Sequence, residues 1–313
     1  MAVVLVTDAD DPRIADYRNV PDPALVLERR LFVAEGRQVV RRLLAANRLV
    51  TRSVMVTAAA LDALGSDVDR DATSIFLVPQ AVMDMVTGFN IHRGCLALGE
   101  RPAPLDWRAL ARDAGRLAIL ERIANADNVG AIFRNAMAFG VDAVLLGPDC
   151  SDPLYRKAIR TSMAATLALP FAHIEPWPDG LRELRNKGIT VIGLSPCAGA
   201  SPLRDVVTTA PGRIAIVVGH EGDGLTREVM DACDTVARIP MAPGVDSLNV
   251  ATAVAIALYE LAGLTETERT ERRAERTEVP EATGSQTGER GSGDERIKMI
   301  KDPRSSPFPR FSV

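Results

Sequence analysis

A chain of 313 residues is long enough for two domains, each burying its own core. Its 47% hydrophobic content excludes wholesale disorder, and its net charge of −4 carries no overall signal for a polyanion. Four cysteines (Cys95, Cys150, Cys197, Cys233) and three histidines (His92, His173, His220) show no metal-ligand or redox-motif spacing, so reduced thiols and no metal are expected.

Met1 to Asp10 is apolar for only a few residues and has no basic leader, unlike a signal peptide. Residues 1–104 alternate strand and helix signals. Leu31–Ala34 is a short apolar run broken by Gly36. Arg37–Arg48 has helical periodicity, with Val39, Val40, Leu43 and Leu44 on one face. Ser53–Thr57 is strand-like, Ala58–Leu64 helical, Ser74–Val78 a strand, Pro79 a helix start and Gly94–Gly99 a last strand. This alternation predicts a small α/β domain. Seven arginines against two glutamates fall between Glu28 and Arg52. Such a cluster is either a solvated helix face or a phosphate-binding surface suited to arginine's planar fork.

Arg101-Pro102-Ala103-Pro104 reads as a stiff segment, with a linker over residues 105–112. Residues 113–264 repeat the alternation with longer elements. Strands are expected at Leu117–Glu121, Ala143–Leu146, Thr190–Leu194, Ile214–Val218 and Thr235–Ile239. Helices are expected from Asn128 as cap to Phe139, over Pro153–Ser162, Leu181–Asn186 and Leu225–Cys233, and from Ser247 to Leu261. The all-apolar Ile214–Val218 suits a parallel strand buried on both faces. The last helix is apolar nearly all round and should pack against more than one surface. Its apolar stretch is far below the roughly 18 residues of a membrane span. Residues 265–313 are polar and rich in Glu, Arg, Thr, Gly, Ser and Pro, the composition of a disordered tail.

Three segments carry candidate chemistry. In the first, a strand runs through a polar turn into a helix start, whose free N–H groups suit an anion; Asn128 there is a cap or a ligand, and Arg134 a surface charge or a cleft residue. In the second, Gly219-His220-Glu221-Gly222-Asp223-Gly224 places three glycines in six residues, allowing close approach of a ligand. Its spacing is neither the dinucleotide fingerprint nor a P-loop. Glu221 is open to three readings: a base, a hydrogen-bond acceptor or a clasp for the loop. In the third, Ile239-Pro240-Met241 precedes Ser247-Leu248-Asn249, where Ser247 is a helix cap and Asn249 lies in the first turn.

Taken in order, these segments resemble the three motifs of the SpoU (TrmH-type) RNA methyltransferases of the SPOUT superfamily: Asn125-x-x-Asn128-x-Gly130-x-x-x-Arg134-x-Ala136-x-x-x-Gly140, Gly219-x-Glu221-Gly222-x-Gly224, and Ile-Pro-Met followed by Ser-Leu-Asn-Val. The first hundred residues, with Phe32-Val33-Ala34-Glu35-Gly36 before a basic helix, resemble that family's substrate-binding domain, similar to a ribosomal RNA-binding protein.

The resemblance implies an α/β parallel-sheet domain over 113–264 with a deep trefoil knot, preceded by a small α/β RNA-binding domain. It implies S-adenosylmethionine as cofactor, contacted at Leu194, Gly219, Ile239 and Leu248. It implies a site completed by Asn128, Arg134, Glu221, Ser247 and Asn249, a homodimer, and methyl transfer to a ribose 2′-hydroxyl without a metal. Ribosomal RNA is the expected substrate and the cytoplasm the expected compartment, with no membrane partner. A tRNA substrate, a non-catalytic RNA-binding assembly factor and an enzyme acting on a small substrate are the alternatives. Two positions depart from the family pattern: Ala126 stands where a proline is common, and His220 where Asn, Ser or Ala is more frequent.

Overall fold

The computed structural model describes residues 3–18, 22–46, 48–69, 73–87, 94–210 and 212–263. The segment 265–313 and His92 lie outside the described residues. The strands are β1 (Val3–Leu5), β2 (Leu31–Glu35), β3 (Thr51–Val56), β4 (Ser74–Leu77), β5 (Cys95–Glu100), β6 (Arg116–Leu120), β7 (Ala143–Leu146), β8 (Phe171–His173), β9 (Ile189–Leu194), β10 (Ser201–Pro202), β11 (Arg213–Val218) and β12 (Thr235–Arg238). The helices are α1 (Arg37–Leu44), α2 (Ala58–Leu64), α3 (Gln80–Thr87), α4 (Trp107–Asp113), α5 (Ala126–Ala138), α6 (Arg156–Thr161), α7 (Ala165–Ala168), α8 (Asp179–Asn186), α9 (Leu203–Thr209), α10 (Arg227–Ala232) and α11 (Val250–Ala262).

Two sheets form. The first has order β1-β4-β3-β5-β2, with β5 antiparallel to both neighbours. The second has order β10-β12-β9-β11-β6-β7-β8, and all its pairings are parallel. The period-2 alternation of β11 explains its uniform apolarity. Ile214, Ile216 and Val218 face one core with Val129, Phe133, Val254 and Leu258, from α5 and α11. Ala215 and Val217 face the opposite core with Trp107, Leu181, Leu184 and Val229, from α4, α8 and α10. Helices thus cover both faces of a buried parallel sheet.

Four local expectations change. Helix α5 begins three residues early, because Asn125 rather than Asn128 is its cap: the Asn125 side chain accepts from Asp127 N at 2.9 Å. Helix α11 begins two residues late, because Asn249 rather than Ser247 caps it, accepting from Ala251 N and Thr252 N. Pro153–Ser162 is helical only over Arg156–Thr161. Within the segment 105–112, helix α4 forms behind an Asp106 cap and buries Trp107, whose indole N–H donates to Glu175 O at 3.0 Å. Helix α11 packs against α5, α9 and β11, while Thr252 and Tyr259 face outward.

The two sheets share a core. Leu154, Ile159, Ala164 and Leu167, around α6 and α7, are buried among Phe32, Ala34, Val39 and Val40 of the first unit. Polar contacts reinforce the junction: Arg101 pairs with Asp152 at 2.5 Å, Arg42 donates to Met163 O, and Arg156 N donates to Asp22. Burial raises the pKa of the Asp22 carboxyl above its usual value.

Candidate active site

In a parallel sheet the crevices open at the carboxyl ends of the strands. Here β9, β11 and β12 end beside one another, and their following loops enclose a cavity of about 390 Å³. Leu194, Val218, Ala237, Ile239, Leu248 and Val250 give it apolar walls. Glu221, Asp223 and Asp246 place carboxylates on its lining. Its size falls within the ordinary range for small-molecule sites.

The Gly219–Gly224 loop folds tightly over the end of β11. A methyl group on Gly219 would sit 2.4 Å from the carbonyl of Gly224, so close backbone approach is what demands glycine there. Gly224 N donates to His220 O at 3.0 Å. The His220 imidazole organises the interior of the loop, with Nδ1 accepting from Gly222 N at 3.0 Å and Asp223 N at 3.2 Å. Asp223 in turn accepts from Arg122 at 3.2 Å.

Behind the loop lies Glu121, which is only 1% exposed. Its carboxylate accepts from Thr226 N at 3.0 Å and Thr226 Oγ at 2.8 Å, and its N–H donates to Val218 O. It ties the end of β6 to the end of the glycine loop. The sequence offers a weak signal for it, a charged residue closing an apolar strand, but its partner lies 105 residues away.

The structure brings most of the expected site residues together. Leu194, Gly219, Glu221, Ser247 and Leu248 line the cavity with Ile239. Asn128 and Asn249 join the same group by hydrogen bonds: Asn249 Nδ2 donates to Asn128 Oδ1 at 3.0 Å, and Asn128 Nδ2 donates to Glu221 Oε1 at 2.7 Å. One residue from each of the three segments therefore forms a single chain. Its polarity is set by α11. Asn249 Oδ1 is committed to the helix N–H groups, so its amide nitrogen must face Asn128, and the Asn128 nitrogen must then face Glu221.

Arg134 stands apart. It is exposed, does not line the cavity, and makes no hydrogen bond or ion pair among the described residues. It lies about 9 Å along α5 from Asn128 and about 120° around it. Next to Asn128, Asp127 accepts from Lys157 at 2.7 Å and from Thr161 at 2.8 Å, and these contacts hold its carboxyl below the usual pKa range. Ser195 and Cys197, which the sequence analysis did not assign to the site, also line the cavity, as do His220 and Met241 of the quoted segments. Among the described residues no group of His, Cys, Asp or Glu is arranged to hold a metal, and no helix is long and apolar enough to cross a membrane.

Comparison with known proteins places this geometry. Residues 116–259 match the model of the SpoU rRNA methylase family. A tRNA/rRNA methyltransferase of Mycobacterium tuberculosis, itself uncharacterized, is 38% identical over 260 residues, spanning 82% of this chain and 90% of the relative. The chain belongs to the SpoU family. Among solved structures, the AdoMet-bound rRNA methyltransferase from Sinorhizobium meliloti superposes with a TM-score of 0.73 at 25% identity, covering 83% of this chain and 97% of that one. An RNA 2′-O ribose methyltransferase superposes with a TM-score of 0.68 at 25% identity, covering 87% of this chain and all of the other. The SpoU match takes in the glycine loop, Asn128 and Asn249, so the hydrogen-bonded chain lies inside the family region.

Proposed function

We propose that this SpoU protein transfers a methyl group from S-adenosylmethionine to a ribose 2′-hydroxyl of RNA, with ribosomal RNA as substrate and a homodimer as the working form. The observation that carries this reading is the Glu221–Asn128–Asn249 chain at the edge of the cavity. The name of one structural neighbour supports a 2′-oxygen target, and the cofactor in another supports the methyl donor. Family membership together with the parallel sheet supports the deep trefoil knot that the motifs imply.

The cavity fits the donor on its own terms. Apolar walls from Leu194, Ile239 and Leu248 suit an adenine ring, and the Gly219–Gly224 loop closes one side of the same cavity. The carboxylates of Glu221, Asp223 and Asp246 suit a cationic ligand. When bound, the cofactor supplies an electrophilic methyl on a sulfonium, which needs no metal.

The chain's own residues have three tasks. The Asn249–Asn128 relay fixes Glu221, whose Oε2 makes no hydrogen bond among the described residues and is open to a ribose hydroxyl. Ser247 and Asn249 complete the mouth. Arg134 orients phosphate and ribose. Its guanidinium stays protonated, so it does not act as a base, and loss of the hydroxyl proton is assisted by the substrate phosphate. Orientation for in-line attack carries much of the rate. Because Arg134 is exposed and does not line its own cavity, we assign it to the site of the second subunit in the dimer.

A pH–rate profile of wild type and Arg134→Lys tests this role, since lysine keeps the charge and loses the planar fork. The rate should fall at every pH with the profile's shape retained, and an unchanged rate would end the assignment. Mapping of 2′-O-methylated positions in RNA with and without the protein tests the substrate.

A further inference from the structure

Helix α6 is placed between the two units. At 100° per residue, Arg156, Lys157, Arg160 and Thr161 share one arc, and Ala158 and Ile159 the other. The second pair is buried, Ala158 against α5 and Ile159 in the core shared with the first unit. The first pair of cations, Arg156 and Arg160, reaches toward Glu35 at the end of β2, at 3.9 and 3.8 Å. Lys157 and Thr161 bind Asp127, beside Asn128. The outward face of α6 thus spans from the head of α1 to the start of α5.

Its charge is incompletely neutralised from within. The Arg160 distance to Glu35 exceeds hydrogen-bond length, and Glu35 Oε2 is a buried acceptor with no hydrogen bond. Half of the Arg160 and Lys157 side-chain surface is exposed, at 52% and 53%. Two residues beyond Glu35, Arg37 opens α1, exposed and without an ion pair among the described residues. The carboxylates facing this strip are Glu35, Asp127 and Asp22, and Asp22 is occupied by Arg156 N.

The strip is also rigid. The α5–α6 crossing is so close that a methyl on Gly130 would lie 2.5 Å from Ala158 O. Ile159 is 0% exposed in the shared core.

We propose that Arg37, Arg160 and Lys157 form a fixed phosphate track that carries the RNA backbone from the first unit, across α6, to the Asn128–Glu221 site. The track deepens the RNA methyltransferase reading and rests on it. Its contacts go to phosphates, so it sets distance and register rather than sequence preference. With α6 locked to both units, the spacing between the RNA held at α1 and the reacting ribose is constant.

The test uses the full chain and a fluorescein-labelled RNA stem–loop, titrated over a range of salt. Lys157→Gln with Arg160→Gln should weaken binding severalfold or more and flatten the slope of log affinity against log salt by about 2, since each duplex phosphate contact contributes roughly 0.9. Affinity for S-adenosylmethionine should be unchanged. Affinity and slope equal to wild type would overturn the track while leaving the methyltransferase reading intact. A wild-type protein that binds no RNA at any salt would overturn both. Photo-crosslinking of wild type to the same RNA gives a reading independent of the variant's folding: adducts within residues 156–160 support the track, and adducts confined elsewhere count against it.

Discussion

Asn249 holds Asn128 by a hydrogen bond of 3.0 Å that spans 121 positions of sequence. The bond has a direction, because the other end of the Asn249 amide caps α11. A helix start therefore dictates which atom Asn128 presents to Glu221.

Substitution at Asn249 should separate capping from relay. Asn249→Asp keeps the cap, since aspartate caps as well as asparagine, but it cannot donate to Asn128. Stability should be close to wild type and methyl transfer reduced on the order of a hundredfold. Asn249→Ala should lose about 1 kcal/mol in urea denaturation as well as the activity. Full activity in the aspartate variant would show that the relay is not used.

Glycine 219 and glycine 130 are both set by close approach, with different consequences. Gly219→Ala drives a methyl into Gly224 inside the loop, so cofactor affinity measured by calorimetry should collapse with a small change in melting temperature. Gly130→Ala meets the backbone of α6 at Ala158. The helix-propensity gain of about 1 kcal/mol is outweighed where backbone must move, at about 1–3 kcal/mol. A Gly130→Ala protein more stable than wild type would contradict the rigid crossing.

Buried Glu121 anchors the glycine loop through Thr226. Glu121→Ala leaves the Thr226 N–H without its acceptor, costing about 1–3 kcal/mol. Thr226→Val removes only the hydroxyl bond and should cost less. Equal stability of the two variants in chemical denaturation would argue against the anchor.

The outline of the second unit was readable because β6 and β11 are apolar on both faces and α5 and α11 are long. The helix starts differ from expectation by three and two residues for one reason: each has two competing polar cap candidates, Asn125 with Asn128 and Ser247 with Asn249. The misreading mattered, since the residue that does not cap is free to enter the site, as Asn128 does. Strands β8 and β10, of three and two residues, are too short to show a period. Glu121 and the α6 junction stayed hidden because their partners are remote in sequence. Asp22 binds the N–H of Arg156 134 positions away.

The thiols differ in environment. Burial pushes Cys95 and Cys233 up to about 12 and Cys150 up to about 11, from an ordinary 9.0. A raised thiol pKa contributes stability that is present below pH 9 and is lost as pH rises toward 11–12, so the protein should weaken at alkaline pH. Cys197 is exposed and lines the cavity. Iodoacetamide should therefore modify Cys197 first in the native protein, more slowly when S-adenosylmethionine is present. Prior modification of Cys95 or Cys233 would contradict the buried assignment.

The three joined segments are expected to transfer a methyl group to a ribose. The direct measurement is nucleotide-resolution mapping of 2′-O-methylation, by resistance to alkaline cleavage, in unmodified ribosomal RNA incubated with the protein and S-adenosylmethionine. Wild type should give a new protected linkage, and Asn128→Ala should lose it, on the order of a hundredfold in rate. RNA that is bound but gains no 2′-O-methyl group, or gains a methyl only on a base, would contradict it.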